Sequence, residues 1–574
     1  MTGSMSSWMQ LDFESKMPSC RSAPPEVLQR FIRFPYCCSK KVGPSDLFDS
    51  GINGWICALS WPGAGAAPPL LGTWDGSPRR SSSSLLCRGP VDLSPSSAML
   101  LFCASGMSSH IPHTSSHSFA SSILSVTTIL TFKMKFTLFA LACTVLSADA
   151  FSAQPAVRQT AAAPKQLQDR TYVTRDIKTP DPVPVEGQEA SLELMKSGRL
   201  YRYNISPGES SEVTKAEKAV IAYTGHKYCV GLNSCGSALM LLLKCTGLEP
   251  GGKVLSNAFT FGAVPSAIEH ARGKAVYVES NADHVMSVED LEKKIKANPD
   301  CRHCMVSHMR GKVADMDKIA ELCEANDVIL VEDCAHSLGV FWQGKHTGHK
   351  GIASAISSQS YKMINSGEGG FLLTDDPSIA AQAAVIAGAY ESLHSKHETV
   401  PGPEHFEGLS TELPNYSIRM SNLAAAVIRP QIDTLEPRIE KYNKRYNDLV
   451  AKLEERVGDH MYIPQLTPGV TRMVHDSIQF NLDEKFTPEM LQEFLDECSD
   501  HGLPVELFGH KSNARNFVNW GFAPAEDPLP ETAEMLKRAC DCRMPLMWDD
   551  EDFDDMANVL IESLESVLEK HGMM

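Results

Sequence analysis

The stretch Ser357-Ser358-Gln359-Ser360-Tyr361-Lys362-Met363-Ile364-Asn365-Ser366-Gly367-Glu368-Gly369-Gly370 sets one amine among hydroxyls and follows it with a glycine-rich turn. Covalent chemistry with an aldehyde needs an amine, and hydroxyls beside open backbone N–H groups suit a phosphate. Alone, a lysine before glycines is an ordinary surface residue. A second stretch raises its standing: the apolar run Val328–Val331 ends in Glu332-Asp333-Cys334-Ala335-His336. A carboxylate at such a strand end could keep a ring nitrogen protonated and so turn the ring into an electron acceptor. The third piece is Asn233-Ser234-Cys235-Gly236-Ser237, a small polar turn where a helix start could hold a phosphate; a nucleotide would suit it equally.

These residues must be carried by an alternating framework. Short apolar runs at Cys229–Leu232, Lys253–Ser256, Ala275–Val278, Cys304–Ser307 and Val328–Val331 read as strands buried on both faces. Between them, Glu209–Tyr223, Ala238–Lys244, Phe259–Ala271, Val288–Ala297 and Met316–Ala325 have helical spacing or run from turn into helix. The alternation predicts an α/β fold, a mostly parallel central sheet between helices, with ligands beyond the strand C-termini. After a helix at Leu423–Ala426, Gln431–Glu455 reads as one long amphipathic helix. Met473–Leu482, Pro488–His501 and Glu551–Glu569 follow as strand, helix and acidic helix, a smaller C-terminal α+β unit.

Together the three stretches resemble the DegT/DnrJ/EryC1/StrS family, fold-type-I pyridoxal-phosphate enzymes that mostly aminate keto sugars. The resemblance spans about Ala190–Leu568 and is densest from Gly231 to Gly370. It implies that Lys362, before the Gly367–Gly370 turn, carries pyridoxal 5'-phosphate, and that Asp333 partners the ring nitrogen; these two are the expected catalytic residues. It implies Gly236, Ser237 and Ser357 for the phosphate and Phe261 over the ring. His336 stands against the cofactor where many members have glutamine. The family's asparagine that reaches a neighbour's phosphate falls on Asn415 or, anchored on Arg419-Met420, on Ser417; the helix after it favours Ser417. A homodimer with shared active sites follows from either register. The His308-Met309-Arg310-Gly311 and Asp315-Met316 element matches another family signature. Arg310 and the polar segment Phe508–Arg515 could meet a carboxylate or phosphate. The implied reaction moves an amino group from an amino acid donor to a keto sugar or other keto acceptor. Dehydration or lyase chemistry assisted by His336, or a non-catalytic cofactor-binding regulator, are the alternatives.

The expected divisions are 190–430 for the cofactor-binding domain and 431–574 for the small domain, preceded by three segments of another texture. Residues 1–133 hold 27 serines against seven carboxylates and show no sustained period, as in a disordered or untranslated stretch. Residues 134–150 have the anatomy of a signal peptide: Met134-Lys135, an apolar stretch and Ala148-Asp149-Ala150. Residues 151–189 read as a transit-like linker and arm, whose Phe151 resembles the start of a secondary-plastid presequence. A plastid is therefore expected, with the secretory pathway or cytoplasm as alternatives. The net charge of -17 argues against nucleic-acid binding, and no apolar run is long enough for a transmembrane anchor. Cys301-x-x-Cys304 and Cys540-x-Cys542 lack a second well-spaced pair, so no metal is expected.

Overall fold

A computed structural model describes residues 170–573. The expectations for 1–133, 134–150 and the first part of the arm lie outside the described residues. Strands β1 (Tyr228–Leu232), β2 (Lys253–Asn257), β3 (Lys274–Val278), β4 (His303–Ser307) and β5 (Ile329–Asp333) fall where the apolar runs predict them. Short strands β6 (Phe341–Trp342) and β7 (Lys345–His346) follow, then β8 (Ala353–Ser357) and β9 (Gly370–Thr374). Seven of these form one sheet in the order β1-β9-β8-β5-β4-β2-β3, parallel throughout except that β9 runs against both its neighbours.

Both faces of that sheet are covered. Cys229, Leu255, Cys304, Leu330, Ile356 and Phe371 enter one core with the helices Glu212–Thr224, Val288–Ala297 and Met316–Ala325. Their strand neighbours Val230, Val254, Met305, Val331, Ala355 and Leu372 point the other way, onto Cys235–Cys245, Ala263–His270 and Pro377–Ala387. Adjacent strand residues face opposite sides, so an apolar run on a buried strand feeds both layers at once. The result is the fold-type-I α/β architecture.

The C-terminal part adds β10 (Met461–Tyr462), β11 (Val470–Arg472), β12 (Ser477–Leu482), β13 (Glu506–Leu507) and β14 (Ala539–Arg543). An antiparallel sheet β10-β12-β14-β13 packs against the helices Leu435–Val457, Pro488–Asp500 and Asp550–Lys570. The N-terminal segment belongs to this layer: Val173 and Ile177 lie in its core, and Val173 N donates to His501 O at 2.9 Å.

Two sequence expectations need correction. Gln431–Glu455 is not one helix: one helix ends at Asp433 and the next begins at Leu435. Pro437 contributes, because it has no N–H to donate to Asp433 and lies in the first turn of the new helix, although Pro430 is accommodated inside the preceding one. The strand expected over Met473–Leu482 starts only at Ser477. Met473 and Val474 are buried in the large-domain core, so the chain changes layers there. Among the described residues no helix is long and apolar enough to cross a membrane.

Candidate active site

The register of the large sheet collects the chemistry at one edge. Leu232 of β1 lies beside Gly370 of β9, and Gly370 beside Ser357 of β8. Ala355 lies beside Asp333 of β5, and Asp333 beside Ser307 of β4. Four parallel strands thus end together and the antiparallel β9 begins there.

Asp333, the last residue of β5, is 5% exposed. Its Oδ2 accepts from Ser307 Oγ at 2.7 Å and its Oδ1 from Ala335 N at 3.0 Å; Thr260 Oγ1 donates in turn to Ser307 Oγ at 2.7 Å. The carboxylate is therefore fixed but not consumed by an ion pair. Glu332, one residue earlier, faces the other side of the sheet and has a structural task. It accepts from Gly348 N, Lys350 N and Gly351 N at 2.6–2.9 Å and contacts His308 Nε2 at 2.9 Å. Burial alone would raise its carboxyl, but His308 and those backbone donors hold it below the usual carboxylate value. His308, Glu332 and Cys334 bring three potential metal-ligand atoms within 4.8 Å of one another, yet both Glu332 oxygens are already engaged.

Lys362 stands on the loop between β8 and β9, and the loop is tied on every side. Ser358 N donates to Gly369 O, Ser366 N to Ser358 O, and Ser360 N to Gly367 O. Met363 and Ile364 are buried, Gln431 bonds both the N–H and the carbonyl of Asn365, and Arg438 Nη1 donates to Met363 O at 2.6 Å. The amine is half-buried and its Nζ lies 2.6 Å from His336 Nε2. Burial, and next the Arg310 guanidinium, push the Lys362 pKa down to about 7. A large fraction of the amine is then neutral and nucleophilic near neutral pH. His336 is held well below its ordinary value by burial and then by the charges of Lys362, Arg310, Arg515 and Arg543, so it is a neutral imidazole there.

The glycine turn closes the other wall. A Cβ on Gly370 would lie 2.6–2.8 Å from Cys235 N, Cys235 Cα and Ser234 C, so only glycine lets β9 start flush against the Cys235–Cys245 helix. That helix is capped by Ser234, whose Oγ accepts from Ser237 N at 3.1 Å; Ser237 Oγ donates to Asn233 Oδ1 at 2.8 Å. Gly236 and Ser237 are half-buried at the helix start, and Ser357 is buried beside Gly370 with Gln359 N donating to its Oγ at 3.3 Å. Phe261 is 44% exposed, and Arg515 stands 5.6 Å from its ring centre.

The structure thus brings Asp333, His336, Ser357, Lys362 and the Gly236-Ser237 turn to one edge. The Asn415–Met420 element touches that edge by backbone: Asn233 N donates to Ile418 O at 2.8 Å and Leu232 bridges Arg419. Asn415 and Ser417 are exposed, with Asn415 Oδ1 accepting from Ser417 N at 2.7 Å and Ser417 at φ +54°. Neither side chain bonds to Gly236 or Ser237. Arg310 is not open to a ligand; it is 3% exposed and paired with Asp541 of β14. Asp315 caps the Met316–Ala325 helix through Lys318 N.

Sequence reading missed Ser307 and Thr260, which orient Asp333, because hydroxyls at strand ends carry no motif of their own. It also missed that Asp181 of the N-terminal segment pairs with Arg438 at 2.8 Å beside the Lys362 loop.

A buried, hydroxyl-bound carboxylate, an amine of depressed pKa and a helix start packed against Gly370 are a donor set matched to a ring nitrogen, an aldehyde and a phosphate.

Comparison with known proteins agrees. Residues 189–560 match the model of the DegT/DnrJ/EryC1/StrS aminotransferase family. The spore coat polysaccharide biosynthesis protein SpsC of Bacillus subtilis (strain 168) is 26% identical over 398 residues, 66% of this chain and 95% of that protein. The L-glutamine:2-deoxy-scyllo-inosose aminotransferase of Streptomyces kanamyceticus is 28% identical over 298 residues, 50% of this chain and 67% of that protein. The crystal structure of 3-amino-5-hydroxybenzoic acid synthase superposes with a TM-score of 0.59 at 20% identity, covering 69% of this chain and 100% of that one. With the family model matching most of the chain and the strand-end residues collected at one edge, the chain belongs to the DegT/DnrJ/EryC1/StrS family of pyridoxal-phosphate-dependent aminotransferases.

Proposed function

We propose that the chain transfers an amino group from an amino acid donor to a keto sugar or a related keto acceptor, with pyridoxal 5'-phosphate held at the sheet edge. The observation that carries this reading is the half-buried Lys362 amine, with a pKa near 7, at the same edge as the buried Asp333 carboxylate. When bound, the cofactor supplies an aldehyde to hold amines and a ring that accepts electrons. Lys362 would hold that aldehyde through its Nζ and, when free, would move a proton at the same atom. Asp333, fixed by Ser307 and Ala335, would hold the ring nitrogen and keep it protonated. Gly236, Ser237 and Ser357 would hold the phosphate, Phe261 and the neutral His336 would hold the ring, and His336 is within hydrogen-bonding reach of Lys362.

The names of the relatives support a polyol or sugar-type acceptor and glutamine as one donor to try first. The decisive experiment incubates the purified protein and pyridoxal phosphate with glutamine or glutamate and a panel of keto sugars, reading keto-acid release and amine incorporation. Borohydride should fix the cofactor to Lys362. A protein that binds no pyridoxal phosphate ends this reading.

The 2.6 Å contact between Lys362 and His336 supports a second reading, a dehydratase or lyase in which the imidazole assists. Loss of water from a keto sugar without stoichiometric amine in the product would favour it. The exposed Asn415–Ser417 segment supports a homodimer in which one of the two side chains completes the neighbour's phosphate site. Sedimentation with and without cofactor, on Asn415→Ala and Ser417→Ala, tests the assembly and the register. The proposed route of entry, a signal-like 134–150 followed by a plastid transit segment, is tested by the N-terminus of the protein from its own cells.

A further inference from the structure

The N-terminal arm sets three prolines around one acid, in Pro180-Asp181-Pro182-Val183-Pro184. Each proline fixes its own φ and biases the residue before it towards extended backbone. The stretch is therefore stiff and presents the Asp181 carboxylate at little conformational cost. Its two ends are docked on different parts of the molecule. Upstream, Val173 and Ile177 are buried in the small-domain core, Thr171 N and Oγ1 donate to Glu562 at 3.0–3.1 Å, and Arg175 Nη2 donates to Met547 O at 2.8 Å. Downstream, the helix Val185–Ser197 lies so close to the helix Asn422–Asp433 that a Cβ on Gly187 would stand 3.2 Å from Val427 Cα.

Between these anchors the arm crosses the lysine loop. Ile177, Thr179 and Pro180 line one cavity of about 60 Å³ with Lys362, Tyr361 and Asp476. Asp181 Oδ2 accepts from Arg438 Nη2 at 2.8 Å. Nη1 of the same guanidinium donates at 2.6 Å to the carbonyl of Met363, the residue after Lys362. The Arg438 and Asp181 side chains are only 17% and 23% exposed, so the pair is screened less than a surface one. One planar fork thus ties the arm to the loop. The carboxylate fixes the plane of the guanidinium, and that plane decides where its second N–H points.

We propose that Asp181 is a positioning residue for Lys362: through Arg438 it holds the Met363 carbonyl and keeps the lysine loop closed beneath the arm. Asp181 itself touches no reacting atom. The inference rests on the transaminase reading only for the role it gives Lys362. Burial is the largest influence on the Lys362 amine, followed by Arg310, Asp476, Asp333 and Cys235. Asp181 and Arg438 lie outside that leading set, so the arm acts by excluding water and not by its charge. Opening the tie admits water and raises the pKa of the amine. Deleting a nearby negative charge, with the arm still in place, would lower it. The sign of the shift separates the two.

The test titrates Lys362 in the purified full chain, stripped of cofactor, by acetic anhydride labelling across neutral and alkaline pH with mass spectrometry of the Lys362 peptide. Wild type should titrate at about 7. Asp181→Asn should move that midpoint up by about one pH unit. Loaded with pyridoxal phosphate, the same variant should lose roughly tenfold in kcat and keep KM for donor and acceptor within about twofold, since the amine is misplaced while the substrate contacts stay. Arg438→Lys keeps the charge but not the fork, so it should reproduce Asp181→Asn; Asp181→Glu keeps the carboxylate and should restore most of the wild-type midpoint. A midpoint that stays or falls in folded Asp181→Asn overturns the proposal even if the protein is less stable, because a tie that only stabilises the fold would cost stability alone. Wild type titrating at the ordinary lysine value overturns it too. If Asp181→Asn does not fold, Arg438→Lys decides by the same midpoint. If wild type transfers no amino group but the upward shift is found, the transaminase reading falls and the positioning of Lys362 by the arm stands.

Discussion

Replacing Lys362 by methionine should make the cofactor-free protein more stable while abolishing its chemistry. The native fold holds the amine half-buried beside the Arg310 charge, and its pKa falls from 10.5 to about 7. At about 1.36 kcal/mol per pH unit, that difference is a penalty of roughly 5 kcal/mol on folding with the lysine charged. Solvent reaching the half-buried head group reduces it, and the lost 2.6 Å contact with His336 costs about 1 kcal/mol. A net gain of roughly 2–3 kcal/mol remains for Lys362→Met at pH 7. The sign follows from proton counting. Between pH 7 and 10.5 the unfolded chain binds more protons at this site than the folded one, so wild-type stability rises with pH relative to the variant. The gap should therefore be largest at and below pH 7 and should close towards pH 10. Urea unfolding of both proteins from pH 6 to 9.5, after stripping any bound cofactor, measures it. A variant less stable than wild type at pH 7, or a gap indifferent to pH, would refute the argument that the site keeps a strained amine.

Three other perturbations follow from the same geometry. Asp333→Asn keeps an oxygen for the Ala335 N–H, so folding should survive while turnover falls on the order of a hundredfold; near-normal turnover would mean another carboxylate faces the ring. Gly370→Ala puts a Cβ 2.6 Å from Cys235 N, so the helix start must shift, at about 1–3 kcal/mol, and phosphate titration should show weaker pyridoxal phosphate binding. Glu217→Gln breaks a buried pair with Arg202, in which both oxygens accept at 2.9–3.1 Å and Gly231 N and Thr399 Oγ1 also donate; denaturation should show a loss of about 3–5 kcal/mol with the active-site residues untouched.

The large-domain strands, the Lys362 and Asp333 positions and the turn at Gly236-Ser237 were legible in the residue order alone. A buried parallel strand must be apolar on both faces, and a glycine turn after a lone amine is a local pattern, so short windows suffice. The helix break at Thr434 was partly local, since Pro437 removes one bond of the ladder there, but the amphipathic period hid it. The antiparallel β9 was not legible, because strand direction depends on how the β8–β9 loop returns and not on composition. The rest of the site was decided only in three dimensions. Ser307 supports Asp333 from 26 residues away, Arg310 is taken by Asp541 from 231 residues away, and Arg543 meets Tyr361 only because β14 ends above the lysine loop. Periodicity fixes which face of an element is buried; it says nothing about which polar side chains from distant elements share one low-dielectric space. That sharing sets the Lys362 amine near pH 7, a property of the packed molecule and not of the residue.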